Sequence, residues 1–257
     1  MTDEPASRPS ELRTLAAALM FFTRLPLVGR VRIDGTHLRG AILWFPVAGW
    51  CVGGLAAAVW WAAAQVWPAD VAAGLSIVAT LLLTGALHED GWADVCDGFG
   101  GGHTRDKTLA IMKDSHIGAY GVIGLVVMLG LKWRLLTSLP FEYAPAAMIA
   151  AHSLSRAAAG SLMATLDYAR AEDEPSKARP LVGRIPAGRL VGMLVMGVAP
   201  LVILPARAAW AIAVVVAVRW MLARWFEKRI GGYTGDCLGA AQQVGEVAVL
   251  LTLLAVL

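Results

Sequence analysis

The sequence predicts an all-α, polytopic integral membrane helical bundle, formed as a single domain over residues 1–257. Three observations predict it. Hydrophobic residues make up 58% of the chain and charged residues only 16%, against about 25% charged in an ordinary soluble domain. Mean hydropathy is +0.63. Uncharged runs recur at lengths near the roughly 20 residues that a helix needs to cross about 30 Å of hydrocarbon.

Taken in order, the segments give six to eight membrane helices. The opening MTDEPASRPS is polar and acidic and lacks the basic start of a signal peptide, so later segments are expected to direct insertion. Leu15 to Gly29 contains Arg24 and Pro26, which argue for an interfacial or re-entrant N-terminal helix over a simple crossing. Gly40 to Ala69 has no Asp, Glu, Lys, Arg or His, and Pro46 near its start bends or begins the helix. Val71 to Leu87 is shorter. Gly118 to Leu139 ends with Lys132 and Arg134, which are expected to snorkel to the interface. Ala144 to Leu166 is interrupted by His152 and Arg156. Leu190 to Ala206 and Trp210 to Trp225 follow, and the apolar tail from Val247 completes a helix begun near Gly239. Trp60, Trp61 and Trp67 gather toward a helix end, where aromatic belts form. The connection from Asp167 to Arg189 reads as a solvated loop.

Composition also excludes functions. A net charge of +3 without a basic face gives no footprint for nucleic acid. Cys51, Cys96 and Cys237 are far apart and form no CxxC pair, so neither a disulfide framework nor a structural zinc site is indicated.

The chemistry concentrates in HEDGWADVCDG, His88 to Gly98, directly behind an apolar run. Carboxylates next to hydrocarbon are expensive and call for a cation or a water-filled site. On a helix, Asp90, Asp94 and Asp97 share a face through offsets of four and three, and like charges at that spacing repel. Mg²⁺ removes the repulsion and takes oxygen ligands, usually one or two carboxylates plus substrate phosphates. Glu89, Asp90, Asp94 and Asp97 are therefore the candidate metal ligands. The next segment supplies Arg105, Lys113 and His116 toward anions, and Asp114 as a ligand or base. Its glycines lack the GKS or GKT of a Walker loop. Arg156, mid-span, needs an acidic or phosphate partner, which its fork suits. Asp236 in GGYTGDCLGAAQQVGE either caps a helix with Thr234 or joins the site. Glu246 either shares that cavity or lies at an interface. Together these residues suggest phosphoryl-group chemistry at a membrane surface.

The blocks FFTRLPL, WFPVAGWCVGG, GALHEDGWADVCDGFGGG, IMKDSHIGAYG and GGYTGDCLGAAQQVGE resemble the cobalamin synthase (adenosylcobinamide-GDP ribazoletransferase) family over nearly the entire chain. The resemblance implies a multi-pass protein of the cell inner membrane, dependent on Mg²⁺. Such a protein joins adenosylcobinamide-GDP to alpha-ribazole, or to alpha-ribazole 5'-phosphate, and releases GMP. The family's acidic motif falls on Glu89, Asp90, Asp94 and Asp97, its lysine-aspartate motif on Lys113 and Asp114, and its TGD motif on Thr234, Gly235 and Asp236. On this reading Asp94, Asp97 and Asp114 are the catalytic candidates, and Arg105, Lys113, His116, Arg156 and Asp236 bind substrate. The partners are these two substrates and the lipid bilayer, with no nucleic acid, and a homo-oligomer is compatible with the chain. Two rivals differ in class. A CDP-alcohol phosphotransferase-like lipid enzyme would need an Arg that the block after Asp90 and Gly91 lacks. An ion-coupled transporter would be favoured by internal repeats, and the acidic block is not repeated.

Overall fold

A computed structural model describes residues 10–25, 33–170, 181, 183 and 185–257. The expectations for residues 1–9, for Pro26 and for most of the 167–189 connection lie outside the described residues. The described elements are helical: α1 (Glu11–Phe22), α2 (Gly35–Gly40), α3 (Phe45–Ala64), α4 (Ala69–Thr84), α5 (Leu87–Gly101), α6 (Arg105–Ile111), α7 (Ala119–Ser138), α8 (Ala144–Leu162), α9 (Ala187–Val198), α10 (Trp210–Ile230) and α11 (Gly235–Val256). Short 3₁₀ turns lead into α3 and α10.

Among the described residues, four stretches can cross a membrane by length and composition: Gly35–Ala64, Ala119–Ser138, Ala206–Ile230 and Gly235–Val256. The number rises to five if α4 and α5, bent by 91°, form one broken span. The polytopic helical bundle is as expected, with fewer full-length apolar crossings than the six to eight counted from sequence. The apolar run after Val71 turns a corner before the acids. The segment Ala187–Ile203 is short. Helix α8 carries His152 and Arg156 on a largely buried surface.

Helix α8 is the central pillar and packs most extensively on α3 and α11. Small residues allow the approach. A Cβ on Gly49 would collide with the His152 carbonyl, and one on Gly53 would lie 2.7 Å from Ile149 Cα. The outward faces of α7 and α10 carry Val122, Ile123, Val126, Trp220 and Met221, all exposed, as lipid-facing surfaces require. Two sequence expectations reverse here. Trp60 is buried, tilted against Phe141 with centroids 5.1 Å apart, while Trp61 and Trp67 stay exposed. Lys132 does not snorkel and is only 3% exposed. Partners inside the bundle hold its ammonium, so it has no need to reach water.

Candidate active site

The acid block begins at a sharp corner. Helix α4 closes on Gly85, whose φ of +66 is readily available only to glycine. Ala86 follows with φ +56, an uncommon conformation for a residue with a Cβ. Arg24, from the end of α1, lies against the corner. Its backbone N–H donates to the Leu83 carbonyl at 2.7 Å, and a Cβ on Gly85 would strike its guanidinium. The FTR segment therefore buttresses the turn that launches α5.

Helix α5 then packs on α11, and glycine sets the spacing. A Cβ on Gly91 would lie 2.9 Å from the Asp236 carbonyl oxygen, and one on Gly239 would lie 3.3 Å from His88 Cα. This contact brings Asp94 within electrostatic range of both Asp90 and Asp236. A second local device places a cation beside them. Gly232, at φ +158, passes so close to Asp167 that a side chain there would hit its carbonyl. Tyr233 and Asp167–Ala169 form a short parallel bridge, with Ala169 N–H to Tyr233 O at 2.8 Å and Tyr233 N–H to Asp167 O at 2.9 Å. Arg105 reinforces it, donating to the Ala169 carbonyl at 2.6 Å and the Ile230 carbonyl at 3.0 Å. The next residue, Arg170, then donates to Asp236 Oδ2 at 2.7 Å. Thr234 caps α11 by accepting from Cys237 N–H at 3.3 Å. The pair that the sequence left open is thus divided: Thr234 caps, and Asp236 enters the site.

A cavity of about 280 Å³ lies between these elements, lined by Asp90, Asp236, Arg170, Arg156, His88, Gln242 and an aromatic wall of Phe21, Phe22 and Phe45. Arg156 is 2% exposed. Its guanidinium lies 5.5 Å from the Phe22 ring centroid and donates to the His152 carbonyl at 2.9 Å. The His88 ring stacks on Phe22 at 5.5 Å and 11°. Three buried nitrogens on this wall lack a hydrogen-bond partner: Arg156 Nε, Arg170 Nε and His88 Nε2. Unpaired buried polar groups are costly, and the two guanidinium donors among them suit a ligand rich in acceptor oxygens.

The four acids of the block do not act alike. Asp90 lines the cavity, and Asp94 is within electrostatic range of three residues that line it, Asp236, Asp90 and Arg170. Asp97 turns to the start of α7, accepting from Gly118 N–H at 2.7 Å and Gly121 N–H at 2.8 Å. A Cβ at either glycine would collide with that carboxylate. Glu89 points into a buried polar network, where Gln243 donates to it at 3.0 Å and Lys132 lies 3.8 Å away. Glu246 anchors the network, with Lys132 at 2.7 Å, His152 at 3.1 Å and the Gln242 amide at 2.6 Å. Of the distant candidates, Asp114 and His116 pair with each other at 2.7 Å on an exposed turn that also carries Lys113. The backbone N–H of His116 and then its ring hold Asp114 below the usual carboxylate range. Among the described residues, no three His, Cys, Asp or Glu side chains form a ready-made metal shell.

The family model described as Cobalamin-5-phosphate synthase matches residues 14–254. The chain belongs to that family. Relatives in it align almost end to end. The chain is similar to an "Adenosylcobinamide-GDP ribazoletransferase" from Ralstonia nicotianae, with 46% identity over 95% of both chains. Proteins of the same name from Ralstonia pickettii and Shewanella frigidimarina are 47% and 42% identical, covering 95% and 96% of this chain and 95% of each relative. No solved structure matches. Family membership separates the chain from the lipid-transferase and transporter readings, and its apolar helices make it a multi-pass membrane protein.

Sequence reasoning missed Arg170. It lies in a loop read as solvated, and its partner Asp236 is 66 residues away. Only the run of glycines before α11, which admits the bridge, hints at the contact.

Proposed function

We propose that the chain is an adenosylcobinamide-GDP ribazoletransferase of the cell inner membrane, whose site is the cavity between α5, α8 and α11. The observation that carries this reading is the convergence of three unpartnered buried nitrogens, two of them guanidinium donors, with Asp90 and Asp236, in a chain 46% identical to a transferase of that name. Phosphate oxygens of the corrinoid-linked diphosphate satisfy Arg156, Arg170 and His88.

The acids fit Mg²⁺ in the manner usual for that ion, with few protein ligands completed by phosphate and water. Asp90, Asp94 and Asp236 would hold it. When bound, Mg²⁺ offsets charge on the diphosphate and on the departing phosphate. Asp94 accepts the proton of an attacking ribose hydroxyl of the ribazole, away from the 5' position that the phosphorylated acceptor has already esterified. The hydroxyl oxygen bonds to the corrinoid-side phosphorus, the bond from that phosphorus to the bridging oxygen breaks, and GMP leaves with the electron pair. With alpha-ribazole 5'-phosphate the same attack gives the 5'-phosphate product. Asp97 and Glu89 serve as struts, Asp97 fixing α7 and Glu89 the buried network. Arg105 acts through the Ala169 carbonyl to set Arg170. Lys113, Asp114 and His116 meet the parts of the substrates that stay in water.

Purified protein in detergent, given adenosylcobinamide-GDP, each acceptor and Mg²⁺, should yield GMP and the joined corrinoid in equal amounts by mass spectrometry. GMP without a joined product would overturn the reading, and undiminished turnover in EDTA would overturn the metal part of it.

A further inference from the structure

The Arg170–Asp236 pair carries a consequence for how cation and diphosphate enter. Arg170 donates to Asp236 Oδ2 at 2.7 Å, an oxygen that a divalent ion between α5 and α11 would also seek. Its Nε is buried, has no partner, and belongs to a side chain on the cavity wall. The guanidinium has five N–H donors in a fixed fork, so it can exchange a carboxylate for a phosphate with a small displacement. Ala169, its carbonyl held by Arg105 and its N–H by the Tyr233 carbonyl, anchors the backbone next to it. Two deeper groups, Arg156 and His88, are each more than nine-tenths buried and present unpartnered nitrogens on the same wall. That wall is therefore built for an anion as well as for a cation.

The formal charges favour joint entry. Asp90, Asp94 and Asp236 oppose Arg156 and Arg170, and leave the wall one negative charge in excess. A diphosphate diester entering alone adds negative charge beside the carboxylates. A divalent cation entering alone meets Arg170 already on Asp236. Each ligand removes the obstacle to the other.

We propose that Arg170 is a two-position guanidinium that couples the ligands: it neutralises Asp236 until a nucleoside-diphosphate group draws it away, which frees Asp236 for the divalent cation. This rests on the transferase reading of the cavity. Linkage makes the effect reciprocal, so diphosphate tightens the cation and the cation tightens diphosphate.

The test uses the full chain in detergent, with Mn²⁺ as the metal probe and GDP as the diphosphate probe. Mn²⁺ binding alone is read by electron paramagnetic resonance, and GDP binding by equilibrium dialysis in EDTA. Arg170→Gln removes the competitor, so Mn²⁺ alone should bind about fivefold tighter or more than to the parent chain. Metal-free GDP should bind weaker by a similar factor. Arg170→Lys keeps an ammonium for Asp236 and should leave Mn²⁺ affinity near that of the parent. In an Asp236→Asn background, Arg170→Gln should no longer change Mn²⁺ binding. Misfolding cannot mimic the first result, because it would weaken metal binding. Unchanged or weaker Mn²⁺ binding by Arg170→Gln, in a parent chain that does bind Mn²⁺, overturns the coupling alone. A parent chain whose Mn²⁺ binding is indifferent to Asp90→Asn and Asp94→Asn overturns the metal reading, and the coupling with it.

Discussion

Asp94 bears the largest expected effect of any single side chain, because it is within electrostatic range of both Asp90 and Asp236. Asp94→Asn should insert and purify normally and lose turnover by at least about a hundredfold, the scale of the several kcal/mol that a bound metal supplies. Normal turnover at ordinary Mg²⁺ would refute the assignment. Asp114 gives a pH test. Contacts with His116 lower its pKa, so the stabilisation they give is present above the ordinary carboxylate range and lost as pH falls through the lowered value. Asp114 is then ionised throughout the neutral range. Asp114→Asn should therefore leave kcat between about pH 6 and 9 within a few-fold of the parent, and a loss of about a hundredfold or more across that range would make Asp114 the base. The acid cluster was legible in the sequence, because carboxylates behind an apolar run are conspicuous. Where each one points was not. Glu89 and Asp90 are neighbours in the chain, yet about 100° of helical rotation sends one to the buried network and the other to the cavity. Arg170 was hidden because loop residues gain their partners from tertiary contacts.

At the scale of the element, the placement of the α5 carboxylates beside Asp236 depends on the spacing of α5 from α11. Gly91→Val would force its side chain against the Asp236 backbone. Overpacking of this kind costs about 1–3 kcal/mol. The variant should elute as a folded species but lose Mn²⁺ affinity and turnover together, because the carboxylates separate. Retained metal affinity would show that α11 contributes nothing to the ion. The helices themselves were readable from hydropathy and length, including the late helix completed by the tail. The corner at Gly85 and Ala86 was not, since Thr-Gly-Ala is an ordinary sequence inside an apolar run. The left-handed pair follows from packing against Arg24.

For the molecule as a whole, the buried network ties α5, α7, α8 and α11 together through Glu89, Lys132, His152 and Glu246. Removing one partner of a buried ion pair costs about 3–5 kcal/mol, because the other charge is left unpaired. Lys132→Met should therefore inactivate at a clearly lower temperature in detergent, and adding Glu246→Gln should restore part of the loss. A single variant as heat-resistant as the parent would show that the network is not a keystone. Sequence alone suggested the opposite place for Lys132, since only the assembled bundle reveals that a carboxylate waits inside. The 91° bend between α4 and α5 has one more outcome. Two rods joined at a right angle cannot both stand upright in a bilayer. With α4 vertical, α5 lies flat like a shelf, and its carboxylates stay at one depth. A bulky reactant then need not thread the bundle, and a site on that shelf can be served from one side of the membrane.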